Sequence, residues 1–351
     1  MILRFALIAL LVSSAGAHAD EGDAPRAPSV RPVPPVRLHA RETTAEDELE
    51  STDTTLAVPA RSRLALESFS GDIVVSGWDR NTVRVQAKHL PLTRIHVDVR
   101  PVTVTLRAVR HVRLPDPGDP RHTQVEELEL PARVDYRLTV PRWMSLGLSG
   151  VNSSISVEGV EGDVSAEVVN GSVVVRGGRG SIRVGSISGA VEVSGARGSV
   201  EASSVNDGVT LRSVEGRVRV ESVNGEVELL GIVSDAVEAS TVSGDLRYEG
   251  ALHAGGSYRF ESHSGDLTVA LPERPDVTVS VDTYSGEFTS SFPVQSKSTF
   301  TSVRGRGKEF EFTLGDGRAE LSLQSFSGLI RLTRAGETAG HAPVVKIRRD
   351  K

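Results

Sequence analysis

Val151-Asn152-Ser153 opens a stretch, ending at Gly244, in which one short phrase recurs at an almost fixed interval. The phrase returns after 18 residues four times, after 19 once and after 21 twice. Its copies begin at Val151, Val169, Ile187, Val205, Val223 and Val242 and, beyond Gly244, at His263 and Tyr284. Related phrases, Phe69-Ser70-Gly71 and Phe326-Ser327-Gly328, stand near the two ends of the same region. A fixed period of this size is typical of stacked-repeat proteins, so it predicts the architecture before any local motif does.

Each repeat contains two short runs of alternating apolar residues separated by turns, as in Ile182-Arg183-Val184 and Val191-Glu192-Val193. Strands this short cannot bury a face alone, so they must stack on their neighbours. Parallel stacking at ~4.8 Å gives two sheets that face each other across roughly 10 Å. We therefore predict an all-β solenoid of two-strand coils, with 18 to 21 residues per repeat and hairpin-like capping strands at both ends.

Aligning the repeats predicts the role of each column. Two columns are apolar and should point inward: Val164, Ile182, Val200, Val218, Val237, Tyr258, Val279 and Leu321, and then Ala166, Val184, Ala202, Val220, Ala239, Phe260, Val281 and Leu323. A third column consists of hydroxyls that can satisfy turn backbone at a buried corner: Ser68, Ser186, Ser204, Ser222, Thr241, Ser262, Thr283 and Ser325. Asn or Ser beside the turn glycine should also bond locally.

The last part of the chain departs from the period. Glu309 to Phe312, the turn Gly315-Asp316-Gly317 and Ala319 to Leu323 are typical of a β-hairpin. Ile330-Arg331-Leu332 would be a final strand. We expect these strands to cover the open end of the stack, which would otherwise present unpaired strand edges.

The two termini predict segments outside the solenoid. Residues 1–19 have a basic start, a short apolar run and an Ala17-His18-Ala19 cleavage pattern, which is typical of a secretory signal peptide. Residues 20–57 are rich in proline and charge and are expected to be a disordered linker. Residues 58–145 should form an N-terminal β-strand region, 146–333 the repeats with the C-terminal hairpin, and 334–351 a flexible basic tail.

Composition limits the partners. Removing one arginine with residues 1–19 leaves 39 basic and 46 acidic residues, so the formal net charge changes from −6 to −7. This acidity argues against nucleic acid as a general partner. The chain has no cysteine, which excludes disulfides and thiol chemistry. No run beyond the first residues is apolar over the length of a membrane span, so no transmembrane segment is predicted.

The outward positions of the first strand alternate in charge: Arg183, Glu201, Arg219, Glu238 and Arg259. Such a ladder of ion pairs favours one register over slipped ones. Glu201 and Glu238 would lie about 9.6 Å apart, near the ~6.5–9.5 Å of inverting glycosidases. Arg219 between them would keep both carboxylates ionised, so neither suits a general acid, and we predict no catalytic residues.

Carboxylates also recur directly after the turn glycine: Glu226, Asp245, Asp266 and Glu287. Stacked at strand spacing, they would repel one another unless solvated or neutralised, and oxygen ligands suit calcium. This acidic stripe is the one candidate metal site; exposed turns are the simpler interpretation, in which no metal is bound. The histidines show no metal-ligand spacing, no G-x-S-x-G motif is present, and no cofactor-binding residue is predicted.

The stretch Ser68 to Asp79, the run Val134 to Pro141 and the reiterated Ser-Val-Asn-Gly units resemble a family of bacterial β-strand-repeat proteins, DUF4097, whose members carry the name "putative adhesin". The resemblance covers about Leu56 to Leu332 and implies an exported β-solenoid-like protein. It implies no catalytic residues.

Three functions remain open at this point. The first is a non-enzymatic adhesin or envelope surface-binding protein, periplasmic or secreted, that binds protein or glycan. The second is a periplasmic scaffold or sensor partner in envelope homeostasis. The third is a polysaccharide-active β-helix enzyme, which would need carboxylates converging in a groove.

Overall fold

The computed structural model describes residues 49–115, 123–128, 131–294 and 308–336. The chain divides into two units, Met1–Thr44 and Ala45–Lys351, and every described residue belongs to the second. The predicted signal peptide, residues 20–48 of the predicted linker and residues 337–351 of the predicted tail lie outside the described residues. Within the described ranges every element is a strand, which confirms the all-β prediction. No helix in these ranges is long and apolar enough to cross a membrane.

The strands follow one another along the chain with short connections. They are β1 (Glu50–Ala57), β2 (Arg63–Ser70), β3 (Ile73–Trp78), β4 (Thr82–His89), β5 (Thr93–Val99), β6 (Thr103–Pro115), β7 (Thr123–Leu128), β8 (Val134–Pro141), β9 (Ser145–Asn152), β10 (Ile155–Glu158), β11 (Val164–Asn170), β12 (Val173–Arg176), β13 (Ile182–Ser188), β14 (Val191–Ser194), β15 (Val200–Ser204), β16 (Val209–Arg212), β17 (Val218–Ser222), β18 (Val227–Thr241), β19 (Leu246–Ser264), β20 (Leu267–Leu271), β21 (Val277–Thr283), β22 (Glu287–Ser290), β23 (Lys308–Leu314), β24 (Ala319–Ser327) and β25 (Leu329–Arg334).

Most of these strands pair in two parallel ladders. Ladder A runs in space β6, β2, β9, β11, β13, β15, β17, the end of β18, the end of β19, β24 and β21. Ladder B runs β8, β3, β10, β12, β14, β16, the start of β18, the start of β19, β20, β25 and β22. We call one A strand with the B strand that follows it a rung.

The core lies between the ladders and follows the predicted columns. Both apolar columns of ladder A are buried throughout, and they join the inward side chains of ladder B in one cluster. A further corner returns the chain from ladder B to the next A strand. There Ala196, Val214 and Ile232 are buried, and single parallel bridges join Arg197 to Glu215 and Glu215 to Val233.

Sequence order and spatial order differ at both ends of the stack. The first rung, β2 and β3, is not at the edge of the stack. β6 and β8, which come later in the chain, pair with its outer edge. The last rung, β24 and β25, lies between the rung of β19 and β20 and the rung of β21 and β22. The first and the last rung in sequence order therefore each pair with other strands on both edges.

The predicted C-terminal hairpin is wrong. β23 pairs antiparallel with β21, and β24 pairs parallel with the opposite edge of β21, so β21 separates the two strands. Their connection crosses the start of β21, where Arg318 hydrogen-bonds and ion-pairs with Asp276. Insertion gives β24 two pairing edges and buries Ala319, Leu321 and Leu323. Ile330 to Leu332 lie on β25, which is inserted between β20 and β22, so they do not cover the end of the stack as predicted.

The predicted linker is also too long. Glu50–Ala57 form β1, which pairs antiparallel with β4 in a register that joins Glu50 to His89 and Ala57 to Thr82. The pairing is reinforced by Asp53, which accepts hydrogen bonds from Arg84 and Gln86. Low hydrophobicity predicted disorder here, but β4 supplies the edge that this polar segment needs. The antiparallel N-terminal strands are otherwise present, as β5 and β7 on β6 and as β4 on β8.

Candidate binding surface

The repeated phrase forms the turn that leads from ladder A to ladder B, and its first residue points outward on every rung. We call these residues the ridge. Backbone bonds fix their register, as where the amide of Asn206 donates to the carbonyl of Ile187 and that of Asn224 to Val205. In spatial order the ridge is Phe69, Val151, Val169, Ile187, Val205, Val223, Val242, His263, Phe326 and Tyr284.

Hydroxyls and a tightly packed glycine hold the turn beneath the ridge. All the predicted hydroxyl residues are buried, and Ser186 donates a hydrogen bond to the carbonyl of Gly171 at 2.9 Å. Ser325 is an exception, since its hydroxyl has no partner among the described residues. Gly189 has a φ of +156°, and a Cβ there would lie 2.1 Å from the oxygen of Gly171. Only glycine therefore fits at this position, although two copies of the phrase end in Ser153 and Asp207 instead.

Most of the ridge is both apolar and exposed; His263 is its polar member, and Val205 and Val223 are half-buried. Phe69, Ile187, Val242, Tyr284 and Phe326 each expose 46 or 47% of their surface. The Asn/Ser column beside the ridge is also exposed and bonds along the stack: Asn170 donates to Asn152 at 2.9 Å and Asn224 to Asn206 at 3.3 Å. An apolar row next to an amide row therefore follows one corner of the protein.

The C-terminal end of the ridge is aromatic. Phe326 stacks on His263 with ring centroids 4.6 Å apart and planes 11° apart. It stacks on Tyr284 with centroids 4.8 Å apart and planes 6° apart. These distances are close to the spacing of about 4.8 Å between strands in a ladder, so the rings stack in the same register as the backbones that carry them. The ring edges, rather than the ring faces, line the surface here.

The predicted acidic stripe is only partly contiguous. Glu226, Asp245 and Asp266 occupy successive rungs, but Leu329 stands between Asp266 and Glu287, because β25 lies between β20 and β22. The simple stack of four carboxylates is therefore wrong. No group of three or more His, Asp or Glu side chains in the described ranges is arranged to hold a metal.

Two carboxylates of the stripe accept hydrogen bonds from backbone amides, and one of them also pairs with an arginine. Asp245 accepts a hydrogen bond from the amide of Asp266 at 2.9 Å. Asp266 in turn accepts one from the amide of Leu329 at 3.0 Å and pairs with Arg331 at 2.8 Å. These contacts tie each rung to the next.

The Arg/Glu ladder has the predicted register. Arg183 pairs with Glu201 at 2.9 Å and Arg219 with Glu238 at 3.1 Å, on adjacent strands of ladder A. Arg219 also pairs with Glu221, a hydrogen bond that with the nearby carboxylates raises the pKa of its guanidinium. Glu201 and Glu238 thus each contact an arginine.

An open depression of about 370 Å³ lies at the N-terminal end of the stack and is lined by Ala60, Arg61, Ser62, Trp143 and Ser145. Two of its polar side chains already have partners. Ser62 donates to the carbonyl of Pro59 at 2.8 Å, and the Trp143 indole donates to Asn81 at 3.0 Å. The ridge is the more extensive surface, and sequence reasoning missed it. The signal was present in the first letter of the repeated phrase, which is apolar although it stands in a turn.

Comparison with known proteins gives one family match. The family model described as Toastrack DUF4097 matches residues 37–333. None of the curated proteins matches the chain.

Solved structures that match the chain include a "putative adhesin" of Parabacteroides merdae, at 8% identity and a TM-score of 0.46, covering 83% of this chain and 98% of that one. A "putative adhesin" of Parabacteroides distasonis has 10% identity and a TM-score of 0.44, with 82% and 98% covered. A "putative lipid binding protein" of the same organism has 9% identity and a TM-score of 0.42, with 82% and 98% covered.

Proposed function

The chain belongs to the Toastrack DUF4097 family, and from this premise we propose that it is an exported, non-enzymatic protein that binds a partner at the cell envelope or surface. The ridge is the surface that makes the contact. In this proposal each rung is a two-strand coil, and the coils serve as a rigid frame that repeats one small binding unit along its length.

The exposure of the ridge carries this proposal. Single exposed apolar residues are normal on protein surfaces, but contiguous exposed apolar patches mark interaction sites. Here apolar side chains occupy the same position on successive rungs, and several expose nearly half of their surface. Nine intervals of ~4.8 Å give the ridge a length of about 43 Å, which is long enough to contact an extended partner.

The pairing of the carboxylates supports a binding role over catalysis. A general acid in a glycosidase needs a carboxyl in surroundings that favour its protonated form. Glu201 and Glu238 lie instead beside Arg183 and Arg219 on an exposed ladder. These contacts stabilise carboxylate anions, so this pair does not suit the polysaccharide-active alternative.

Retention assays test the proposal. The purified mature protein is incubated at micromolar concentration with cells, peptidoglycan and surface glycans, and the bound fraction is compared with that of a Val169→Ser/Ile187→Ser ridge variant. Val74→Ser is the matched control, because Val74 is 39% exposed but points outward from ladder B. We expect the wild type and the control to be retained and the ridge variant to be lost.

Two results would overturn this function. One is a wild type that binds none of these materials, and the other is a ridge variant retained as well as the wild type. Crosslinking in envelope fractions distinguishes adhesion from the scaffold or sensor role. Capture of one specific membrane protein by the wild type, and not by the ridge variant, would favour the scaffold or sensor role.

A further inference from the structure

Carboxylates flank the ridge on both sides, although the rungs of Val151, Ile187 and Phe326 carry none. On ladder A, the residue two positions before each ridge residue points outward. It is Asp or Glu on five of the ten rungs. Three residues after it, the acidic stripe and Asp72 occupy the start of ladder B. Together with Asp207 in one turn, the flanking carboxylates are Glu67, Asp72, Glu167, Asp207, Glu221, Glu226, Asp245, Glu261, Asp266, Asp282 and Glu287.

Arginines occupy only sequence positions farther from the ridge than these carboxylates. On the described rungs, no lysine or arginine occupies any position from two residues before the ridge to three residues after it. Arg183, Arg219 and Arg259 stand four residues before the ridge. Arg197 lies at the corner between ladder B and the next A strand. The ridge is therefore the centre of an acidic strip, although Arg219 and Arg331 reach into it and pair with Glu221 and Asp266.

We propose that the ridge binds a cationic amphipathic α-helix of a partner protein, with the helix lying along the solenoid axis. This inference rests on the proposed function and names the partner of that same surface. The apolar stripe of such a helix contacts the ridge, and lysines or arginines on both sides of the stripe reach the flanking carboxylates. Charge complementarity across an interface raises the association rate and rejects acidic partners.

The spacing of the ridge suits a helix. The apolar stripe of an α-helix repeats about every 5.4 Å along its axis, whereas ridge residues repeat about every 4.8 Å. Over about four helical turns the two periods drift apart by only ~2.4 Å, which is half a rung. The central ridge from Val151 to Val242 consists of Val and Ile side chains, which suit continuous apolar contact.

Peptide binding to the purified mature chain tests this partner. The probe is a fluorescent 14-residue peptide of leucine and lysine, with leucine at helical spacing. One control peptide carries glutamate in place of every lysine, and another has the leucine and lysine order scrambled. Fluorescence anisotropy is measured against the wild type, the Val169→Ser/Ile187→Ser variant and a Glu167→Gln/Glu226→Gln variant. The matched charge control is Glu158→Gln/Glu192→Gln, which neutralises outward carboxylates of ladder B.

We expect saturable binding of the leucine–lysine peptide and at least tenfold weaker binding of both control peptides. The ridge variant should lose about tenfold in affinity. The Glu167→Gln/Glu226→Gln variant should lose about threefold and show a shallower dependence on salt, because two screened attractions are removed. The charge control should bind like the wild type. Circular dichroism and melting curves confirm that each variant is folded.

Equal binding of the lysine and glutamate peptides, or unchanged binding by the ridge variant, would overturn the cationic-helix partner. The proposed function fails separately, in the retention assay. Envelope retention that depends on the ridge but is unaffected by Glu167→Gln/Glu226→Gln would leave the binding surface standing and reject this partner alone.

Discussion

Phe326 stacks on His263 with their ring centroids 4.6 Å apart, although β20 to β23 separate the two residues in the chain. The contact exists because β24 pairs with the end of β19 and so places Phe326 on the next rung. Tyr284, which follows His263 in sequence order, is displaced to the far side of Phe326. The order of the three rings therefore follows from the insertion of β24 between β19 and β21.

Phe326→Ala should lower the free energy of unfolding by about 1–3 kcal/mol, because it removes two ring pairs of ~0.5–1.5 kcal/mol each. Phe69→Ala is the matched control, since Phe69 also exposes 46% of its surface at the opposite end of the ridge, beside Val151. We expect a smaller loss there. Denaturant unfolding followed by circular dichroism measures both. Equal losses would show that stacking adds nothing beyond burial.

The sequence predicted the columns of the repeat but not the order of its last rungs. Parallel pairing needs only matching strand patterns, so the period indicates that Phe326 belongs to the same column as His263 and Tyr284. It does not indicate which copy lies beside which. That choice depends on which edges of β19 and β21 accept β24, a long-range contact with no local signal. The hairpin prediction failed for this reason.

The candidate surface shows the same limit. Val169 and Ile187 were visible as members of the repeated phrase, and the acidic stripe as a column. Their exposure, and the position of carboxylates on both sides of them, required the turn geometry. Leu329 within the acidic stripe was not predictable at all, because it arrives with β25.

Gly189→Ala should destabilise the protein by about 3 kcal/mol or more, because the new Cβ would lie 2.1 Å from the carbonyl oxygen of Gly171 and the rungs would have to separate. Gly195→Ala separates this effect from backbone strain: Gly195 has a φ of +65°, but no heavy atom lies within 4 Å of its added Cβ. We expect a cost of about 1 kcal/mol there. Thermal and denaturant unfolding compare the two. Similar losses would contradict the close-approach explanation.

Asp266→Asn should lower the free energy of unfolding by about 1–2 kcal/mol, because the carboxylate accepts the Leu329 amide and pairs with Arg331 across the inserted rung. Glu228→Gln is a suitable comparison, since Glu228 pairs with Arg212 at 3.3 Å on the outer face of ladder B. Its loss should stay below about 1 kcal/mol. Chemical denaturation measures both, and equal effects would remove any special role of Asp266.

The calcium hypothesis is tested with the same residues. If the acidic stripe binds calcium, the ion raises the melting temperature of the wild type, and Asp245→Asn with Asp266→Asn abolishes that rise. Magnesium serves as the control ion, because it demands a tighter octahedral site. A wild type whose melting temperature does not respond to calcium would end the hypothesis.

Tyr136→Phe should raise the free energy of unfolding by about 1 kcal/mol at neutral pH. Tyr136 lies on β8 between β3 and β4; its side chain is buried, and its hydroxyl has no hydrogen-bond partner among the described residues. Removing an unsatisfied buried hydroxyl relieves its desolvation cost. Tyr248→Phe is the contrasting variant, because the Tyr248 hydroxyl donates to the carbonyl of Ala251 at 3.3 Å, and its loss should not stabilise. Denaturant unfolding at pH 7 distinguishes them.

Burial also predicts how stability depends on alkaline pH. It raises the pKa of the Tyr136 phenol, and it raises that of Tyr248 with help from Tyr258, so both are above the usual value of about 10 in the folded protein. Below pH 10 both folded and unfolded chains keep these phenols neutral, and the stabilisation is complete. Above pH 10 the unfolded chain releases its protons first, so stability falls by up to about 1.4 kcal/mol per tyrosine for each pH unit. The Tyr136→Phe/Tyr248→Phe variant should flatten this decline between pH 9 and 11. A decline in the variant parallel to that of the wild type would refute the assignment to the buried phenols.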